Sequence, residues 1–522
     1  MSSNSWKKII LGIIFLIFSL FYVFVFFRNT AITDTMIFNI AHIKSLEDIS
    51  TPINFDYWNH SGSLLNLYSP WLTILPGALF LSQNLLAGFL LFMVVITYLT
   101  SLSAYYYMKK FSHNTFEALL FSAFYTFSLN RFFLVYQEQR LENYLVLIFL
   151  PMVYFGIYQI FSLHSKKWLT FALGLSLIIW TSPIVSLGVL LTILPMPIIL
   201  FFNRQTHSVE YFKKWFLQIL KSGLLTGVLT VGFWGVMLED QVTKKLIQAD
   251  YAKFNFIKWF NGMHLQLANQ YLLLAIAILF VLLLLFIFWT GTFSYKIIIL
   301  ELIPLTYLLL FGINIKGINL SRLNLSFQMI FSLFVIVVGI RVILMLFQES
   351  PVILRLLILL VAILGLGYGN FLQAKDLQTT SPMNLHEKID YKKYVVNYHD
   401  QAATTNNQFL IDGQSQEIQF FTKKNEYWVQ YYNPKAVTMD IPVQNYAGIN
   451  VTINNEKVRV KNSKRGTVQI RTQPNRNIIE IHSSYTPLGI LMLAINLVGI
   501  IILIYVWVRQ KRSPSKKIMV DS

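Results

Sequence analysis

Apolar residues run along this chain in blocks of roughly 20, separated by short polar or basic stretches. As a helix, such a block crosses a hydrocarbon core about 30 Å thick. The blocks fall at 9–27, 85–108, 115–130, 141–163, 168–181, 184–202, 215–238, 269–290, 297–312, 323–347, 354–371 and 486–508. They make about twelve spans by the hydropathy criterion. Between the first two lies a polar stretch, 28–84. Within it Ile37, Ile40, Ala41, Ile43 and Leu46 recur at helical spacing and predict an amphipathic helix on the membrane surface. The run 67–82 is apolar but broken by Pro70, Pro76 and Gly77, which predicts a second helix that skims the membrane without crossing it.

Residues 372–485 break this pattern. They are polar, and short alternating runs follow one another at 417–421, 427–432, 436–441, 450–453, 458–460, 468–471 and 478–482. Asn454-Asn455 and Arg465-Gly466 stand between runs as turn signals. The period of two predicts a β-sandwich of about seven strands. The chain therefore divides into a membrane domain (1–371, with 28–84 as its first extracytoplasmic loop), a β-rich domain (372–485), a last span (486–508) and a basic tail (509–522).

Charge orients this arrangement. Only 13% of residues are charged, against about 25% in soluble proteins. Lys7-Lys8, Lys109-Lys110, Lys166-Lys167, Arg204, Lys213-Lys214, Lys296, Arg355 and the tail Arg509-Gln510-Lys511-Arg512 share one side only if 67–82 does not cross. The positive-inside rule then puts both termini in the cytoplasm and the β-domain outside the cytoplasmic membrane. The net charge of +18 is met by the anionic lipid of the bilayer rather than by nucleic acid. There is no cysteine, which excludes disulfides and thiolate chemistry. The block 9–27 is too long for a signal-peptide core and reads as a retained anchor.

Several stretches are familiar. Asp34, Phe38-Asn39, Ala41-His42-Ile43, Leu46 and Asn66-Leu67-Tyr68-Ser69-Pro70 resemble the first extracytoplasmic loop of the GT-C glycosyltransferase superfamily. Gln139-Arg140-Leu141-Glu142 with Leu150-Pro151, Ser321-Arg322-Leu323, Asn445-Tyr446-Ala447-Gly448 and Tyr485-Thr486-Pro487 are similar to a bacterial branch of YfhO-like and 6-pyruvoyl-tetrahydropterin-synthase-related membrane proteins. Two positions depart from that pattern. Members carry a histidine and then an arginine in the first interface helix, where this chain has Asn39 and His42, and a histidine where it has Thr181-Ser182-Pro183. The resemblance implies a GT-C-like helical membrane fold and a donor sugar carried on polyprenyl phosphate. It also implies an acidic residue just after the first span.

Asp34 holds that place. A carboxylate there can deprotonate an acceptor hydroxyl or hold a divalent cation, magnesium or manganese, against the leaving phosphate. The plainer role is at the start of the helix that follows. Asp56 and His60 flank Trp58 as a second acid/base or metal group, with a solvated loop as the simpler account. Tyr68 suits either a sugar face or the aromatic belt of a membrane surface. Arg131, Arg140 and Glu142 gather with Glu138 at one outer boundary, and Arg322 stands at the outer start of another span. Arginine suits phosphate because its planar fork donates two parallel hydrogen bonds, and Arg140 and Arg322 are the expected grip on the carrier. Arg341, Lys221 and Glu117 are read as charges that snorkel to the interface.

The expected function is glycosyl transfer from a polyprenyl-phosphate carrier to a cell-envelope polymer such as teichoic acid or polysaccharide. One rival is a transporter or flippase of a lipid-linked envelope precursor, which would favour internal repeats, broken helices and midplane charges. The other is a non-catalytic scaffold whose β-domain binds an envelope partner.

Overall fold

The computed structural model of the chain describes residues 3–46, 62, 66, 69–81, 84–162, 168–197, 209–244, 281–282, 284–311, 321–347, 350–376, 383, 407–423 and 426–512. Among them, eight helical stretches are long and apolar enough to cross a membrane: Lys8–Asn29, Leu85–Ser112, Thr115–Glu138, Leu141–Phe161, Val209–Glu239, Leu323–Phe347, Val352–Lys375 and Pro487–Gln510.

The helices are α1 (Ser3–Asn29), α2 (Asp34–Ser45), α3 (Leu75–Ala78), α4 (Leu85–Ser112) and α5 (Thr115–Thr126). Next come α6 (Leu129–Phe132), a π-helical turn (Phe133–Glu138), α7 (Leu141–Val146), α8 (Leu150–Phe161), α9 (Trp168–Ile179) and α10 (Pro183–Ile193). The series ends with α11 (Val209–Lys244), α12 (Phe293–Phe311), α13 (Ser321–Phe347), α14 (Val352–Asp376) and α15 (Pro487–Arg512).

Helices α9 and α10 have 12 and 11 residues, about 18 Å and 16 Å of rise. Over the described residues each is shorter than a full crossing. Between them the chain turns at Trp180-Thr181-Ser182, and the stretch after Pro70 descends onto this turn. Thr73 Oγ1 donates to Trp180 O at 2.9 Å, and Trp71 meets Trp180 edge to face at 5.4 Å. Among the described residues of that stretch the helix is the short α3, with Pro76 in its first turn. The expected span 269–290 lies largely outside the described residues.

Contacts sort the helix ends into two groups. At one end Tyr295 of α12 donates to Glu117 of α5, Arg341 of α13 lies 3.8 Å from the same carboxylate, and Tyr211 of α11 donates to Phe161 O. Lys8, Lys109, Lys110, Lys213, Lys214 and Arg355 belong to this end by their places on the helices. At the other end Gln139 bonds α2, Asn370 of α14 donates to Phe127 O, and Glu239 of α11 accepts from Thr486. The interior is a continuous apolar core built around Tyr22, Phe26, Phe89, Leu150 and Phe327. Helices α14 and α15 lie at the periphery, and leucines such as Leu356, Leu360 and Leu364 are exposed along α14. Such a surface belongs in lipid.

Among the described residues the β-region holds ten strands in two antiparallel sheets. One has the order β2-β1-β5-β9-β8 and the other β3-β4-β10-β6-β7. The strands are β1 (Phe409–Ile411), β2 (Gln414–Gln416), β3 (Phe420–Lys423), β4 (Glu426–Asn433), β5 (Thr438–Gln444), β6 (Ile449–Ile453), β7 (Glu456–Lys457), β8 (Lys461–Asn462), β9 (Thr467–Arg471) and β10 (Asn475–Ser483). Tyr427, Val429, Met439, Ile441, Val451, Val468, Ile479 and Ile481 fill the space between the sheets. The count corrects the expected seven. The hairpin β1–β2 is additional, and the run 458–460 is not a strand but the crossover from β7 in one sheet to β8 in the other.

This domain sits on the helices. Val236 of α11 enters its core, Met492 of α15 packs against it, and Gln444 N donates to Gly62 O of the first loop at 3.0 Å.

Candidate functional site

Asp34 lies in the first turn of α2. Thr33 is the N-cap, its hydroxyl accepting from Met36 N at 3.2 Å, so Asp34 itself is spared capping and stays exposed. A carboxylate in this position is favoured by the helix dipole. The buried face of α2, with Met36, Ile40 and Ile43, holds the helix on α3 and α4.

Two hydrogen bonds tie α2 to a residue a hundred positions away. Thr33 Oγ1 donates to Gln139 Oε1 at 2.5 Å, and Asn39 Nδ2 donates to Gln139 O at 2.6 Å. Gln139 has φ +55° and closes the π-helical turn, its N–H reaching Leu134 O at 3.0 Å. Arg140 follows as the N-cap residue of α7 and is exposed. Thus the residue preceding Asp34 bonds the residue preceding Arg140. The exposed residues Asp34 and Arg140 each follow one member of this bonded pair, at the β-domain end of the bundle. Glu142 is half-buried in the first turn of α7.

Other expected residues are placed differently. His42 is fully inside, beside Phe38 and Asn66. Burial lowers its pKa from 6.5 to about 3, against an opposing hydrogen bond from Asn66, so the ring is neutral and brings no charge to a phosphate. Arg131 is not at the boundary where the sequence put it. It is 1% exposed, donating to Thr126 O at 3.1 Å and Thr97 Oγ1 at 2.8 Å with its fork 4.4 Å over the Tyr22 ring. Thr97 lies about 18 Å along α4 from Leu85, so Arg131 reaches the middle of the bundle. The physical reason is local: Ser128 caps α6 and turns the Arg131 side chain back between α1 and α4. Arg322 lies in the first turn of α13 at the β-domain end. Asp56, His60 and Tyr68 lie outside the described residues.

Three acidic or basic side chains that the sequence offered only as snorkelling, or not at all, are organised inside the bundle. Glu117 is fully buried, held by Tyr295 and Arg341, while Arg341 stacks 4.9 Å over the Tyr295 ring. Glu301 of α12 is also fully buried. The signal for these is general: a lone charge in an apolar block is retained when it has a partner or a task.

Among the described residues, no three His, Cys, Asp or Glu side chains gather as a metal group. A single exposed carboxylate such as Asp34 suits a magnesium-like cation that keeps its waters and arrives with a phosphate, rather than a resident ion. No family model matches the chain, and no curated protein matches it in sequence. The resemblance to GT-C enzymes therefore rests on the quoted residues alone.

Proposed function

We propose that the chain is a membrane glycosyltransferase that moves a sugar from a polyprenyl-phosphate carrier to a cell-envelope polymer at the β-domain end of its bundle. The observation that carries this reading is the Thr33–Gln139 hydrogen bond, which joins the residues that directly precede Asp34 and Arg140. Asp34 takes the proton of the acceptor hydroxyl as that oxygen attacks the anomeric carbon. The carrier phosphate leaves with the bond's electron pair, and Arg140 meets its negative charge with two parallel donors. Arg322, on the same end, joins this grip. A divalent cation beside Asp34 would supply further charge neutralisation. With the lysine-bearing end in the cytoplasm, as the positive-inside rule favours, the acid lies at the outer lipid boundary, and the β-domain stands over it to receive the polymer.

The test is transfer of radiolabelled sugar from a synthetic polyprenyl phosphate into envelope polymer, by the full chain in vesicles. Asp34→Asn removes a general base and is expected to slow transfer about 10²–10⁴-fold. Undiminished transfer in this variant would remove Asp34 from the chemistry.

A second reading, passage of a lipid-linked precursor through the bundle, is favoured by the interrupted α9–α10 hairpin and by Arg131 at mid-depth. It predicts sugar-lipid crossing vesicles without any new glycosidic bond.

A further inference from the structure

At the lysine-bearing end, away from α2, helices α4, α8, α12 and α13 enclose a cavity of about 90 Å³. Aromatic rings dominate its wall. Phe111 of α4 meets Tyr158 of α8 edge to face at 4.9 Å, and Tyr154 of α8 meets Phe334 of α13 at 4.8 Å. Two hydroxyls on the wall are engaged, Tyr154 with Thr192 at 2.6 Å and Tyr158 with Ser294 at 3.4 Å. Glu301 is the single carboxylate on the wall, 0% exposed, and neither of its oxygens has a hydrogen-bond partner among the described residues. Glu117, the other buried acid of this end, accepts from Tyr295, lies 3.8 Å from the Arg341 guanidinium and does not line the cavity.

A buried carboxylate without partners costs several kcal/mol unless something neutralises it. The wall decides what that is. Ring faces carry negative charge density, so they attract cations and repel anions. A bare calcium or magnesium ion needs about six oxygen ligands, and this wall supplies one carboxylate among hydrocarbons. A cation whose own surface is apolar satisfies both the rings and the acid.

We propose that this cavity binds a small organic ammonium, a tertiary or quaternary amine with apolar substituents, with Glu301 as its counter-ion and the Phe111, Tyr154, Tyr158 and Phe334 rings as its cage. The site is separate from the Asp34–Arg140 region and stands whether or not the chain transfers sugar.

The probe is radiolabelled tetramethylammonium, with neopentane as the neutral competitor of the same shape, on the full chain in nanodiscs. The wild type is expected to bind the ammonium saturably, and the neutral competitor to leave that binding intact. Glu301→Gln keeps the shape and removes the charge, and is expected to weaken binding on the order of tenfold or more, as a desolvated cation interaction of about 2 kcal/mol implies. Val337→Phe fills the cavity and keeps the acid, and is expected to abolish binding even if the first variant fails to fold. Absence of saturable binding to the wild type, displacement by neopentane, or full binding in either folded variant would overturn the proposal.

Discussion

Gln139 has a left-handed backbone and two side-chain partners, Thr33 and Asn39, which join the residue before Arg140 to the start of α2 and the residue before Asp34. The sequence displayed Asp34 and Arg140 as candidates but gave no sign of the link between them. A glutamine in a π-helical terminus has no period to betray it. Replacing Thr33 with alanine removes both the N-cap of α2 and the bond to Gln139. The cap alone is worth about 0.5–2 kcal/mol. Transfer is expected to fall on the order of a hundredfold, because a shift of about 1 Å in a reacting group costs that much. Thr33→Ser restores the hydroxyl and is expected to rescue the rate in the same vesicle assay, whereas equal losses in both variants would argue against the link.

His42 carries a pH signature of its own. Its folded pKa of about 3 lies below the ordinary 6.5, so the folded state holds the neutral ring. The stability this contributes is present above pH 6.5 and is lost as the pH falls toward 3. Wild-type melting temperature is expected to drop over that window, and His42→Asn, which does not titrate, to flatten part of the drop. Parallel pH profiles for the two chains would mean that position 42 is not buried as described.

Among elements, close helix approach is written in glycine. A Cβ added to Gly156 of α8 would lie 2.5 Å from Phe171 N and 2.6 Å from its Cα on α9. Backbone cannot yield as a side-chain tip does. Gly156→Ala is expected to destabilise the bundle by about 1–3 kcal/mol. Gly223 of α11 has nothing within 4 Å, and Gly223→Ala is expected to be neutral or to stabilise by up to about 1 kcal/mol through helix propensity. Unfolding titrations in mixed micelles measure both, and equal shifts for the pair would contradict the packing.

Elements with a strong period were legible: long apolar helices, the His113-Asn114 turn with His113 at φ +56°, and the Asn454-Asn455 hairpin with φ +51° and +70°. Strands β1 and β2 escaped, although Asp412-Gly413 between them is a turn pair with φ +48° and +88°. Their residues carry no apolar alternation, and Gln414–Gln416 is exposed throughout as an edge.

For the molecule as a whole, the alternation of helix ends gathers Lys8, Lys109, Lys110, Lys213, Lys214 and Arg355 at one pole and the β-domain, α2 and Arg140 at the other. Spacing of basic loops displayed this polarity without any coordinates. The interior charges were not legible, because Arg131 and Glu117 gain their partners from helices distant in sequence.

The central claim is that a polyprenyl phosphate docks its head group between α2 and the start of α7. The most direct measurement is photo-crosslinking of the full chain in nanodiscs with a polyprenyl phosphate bearing a benzophenone beside the phosphate, followed by mapping of the adducts by mass spectrometry. The account predicts adducts on residues 33–39 and 138–143, reduced in Arg140→Ala. Adducts confined to the lysine-bearing end, or a pattern untouched by that substitution, would contradict it.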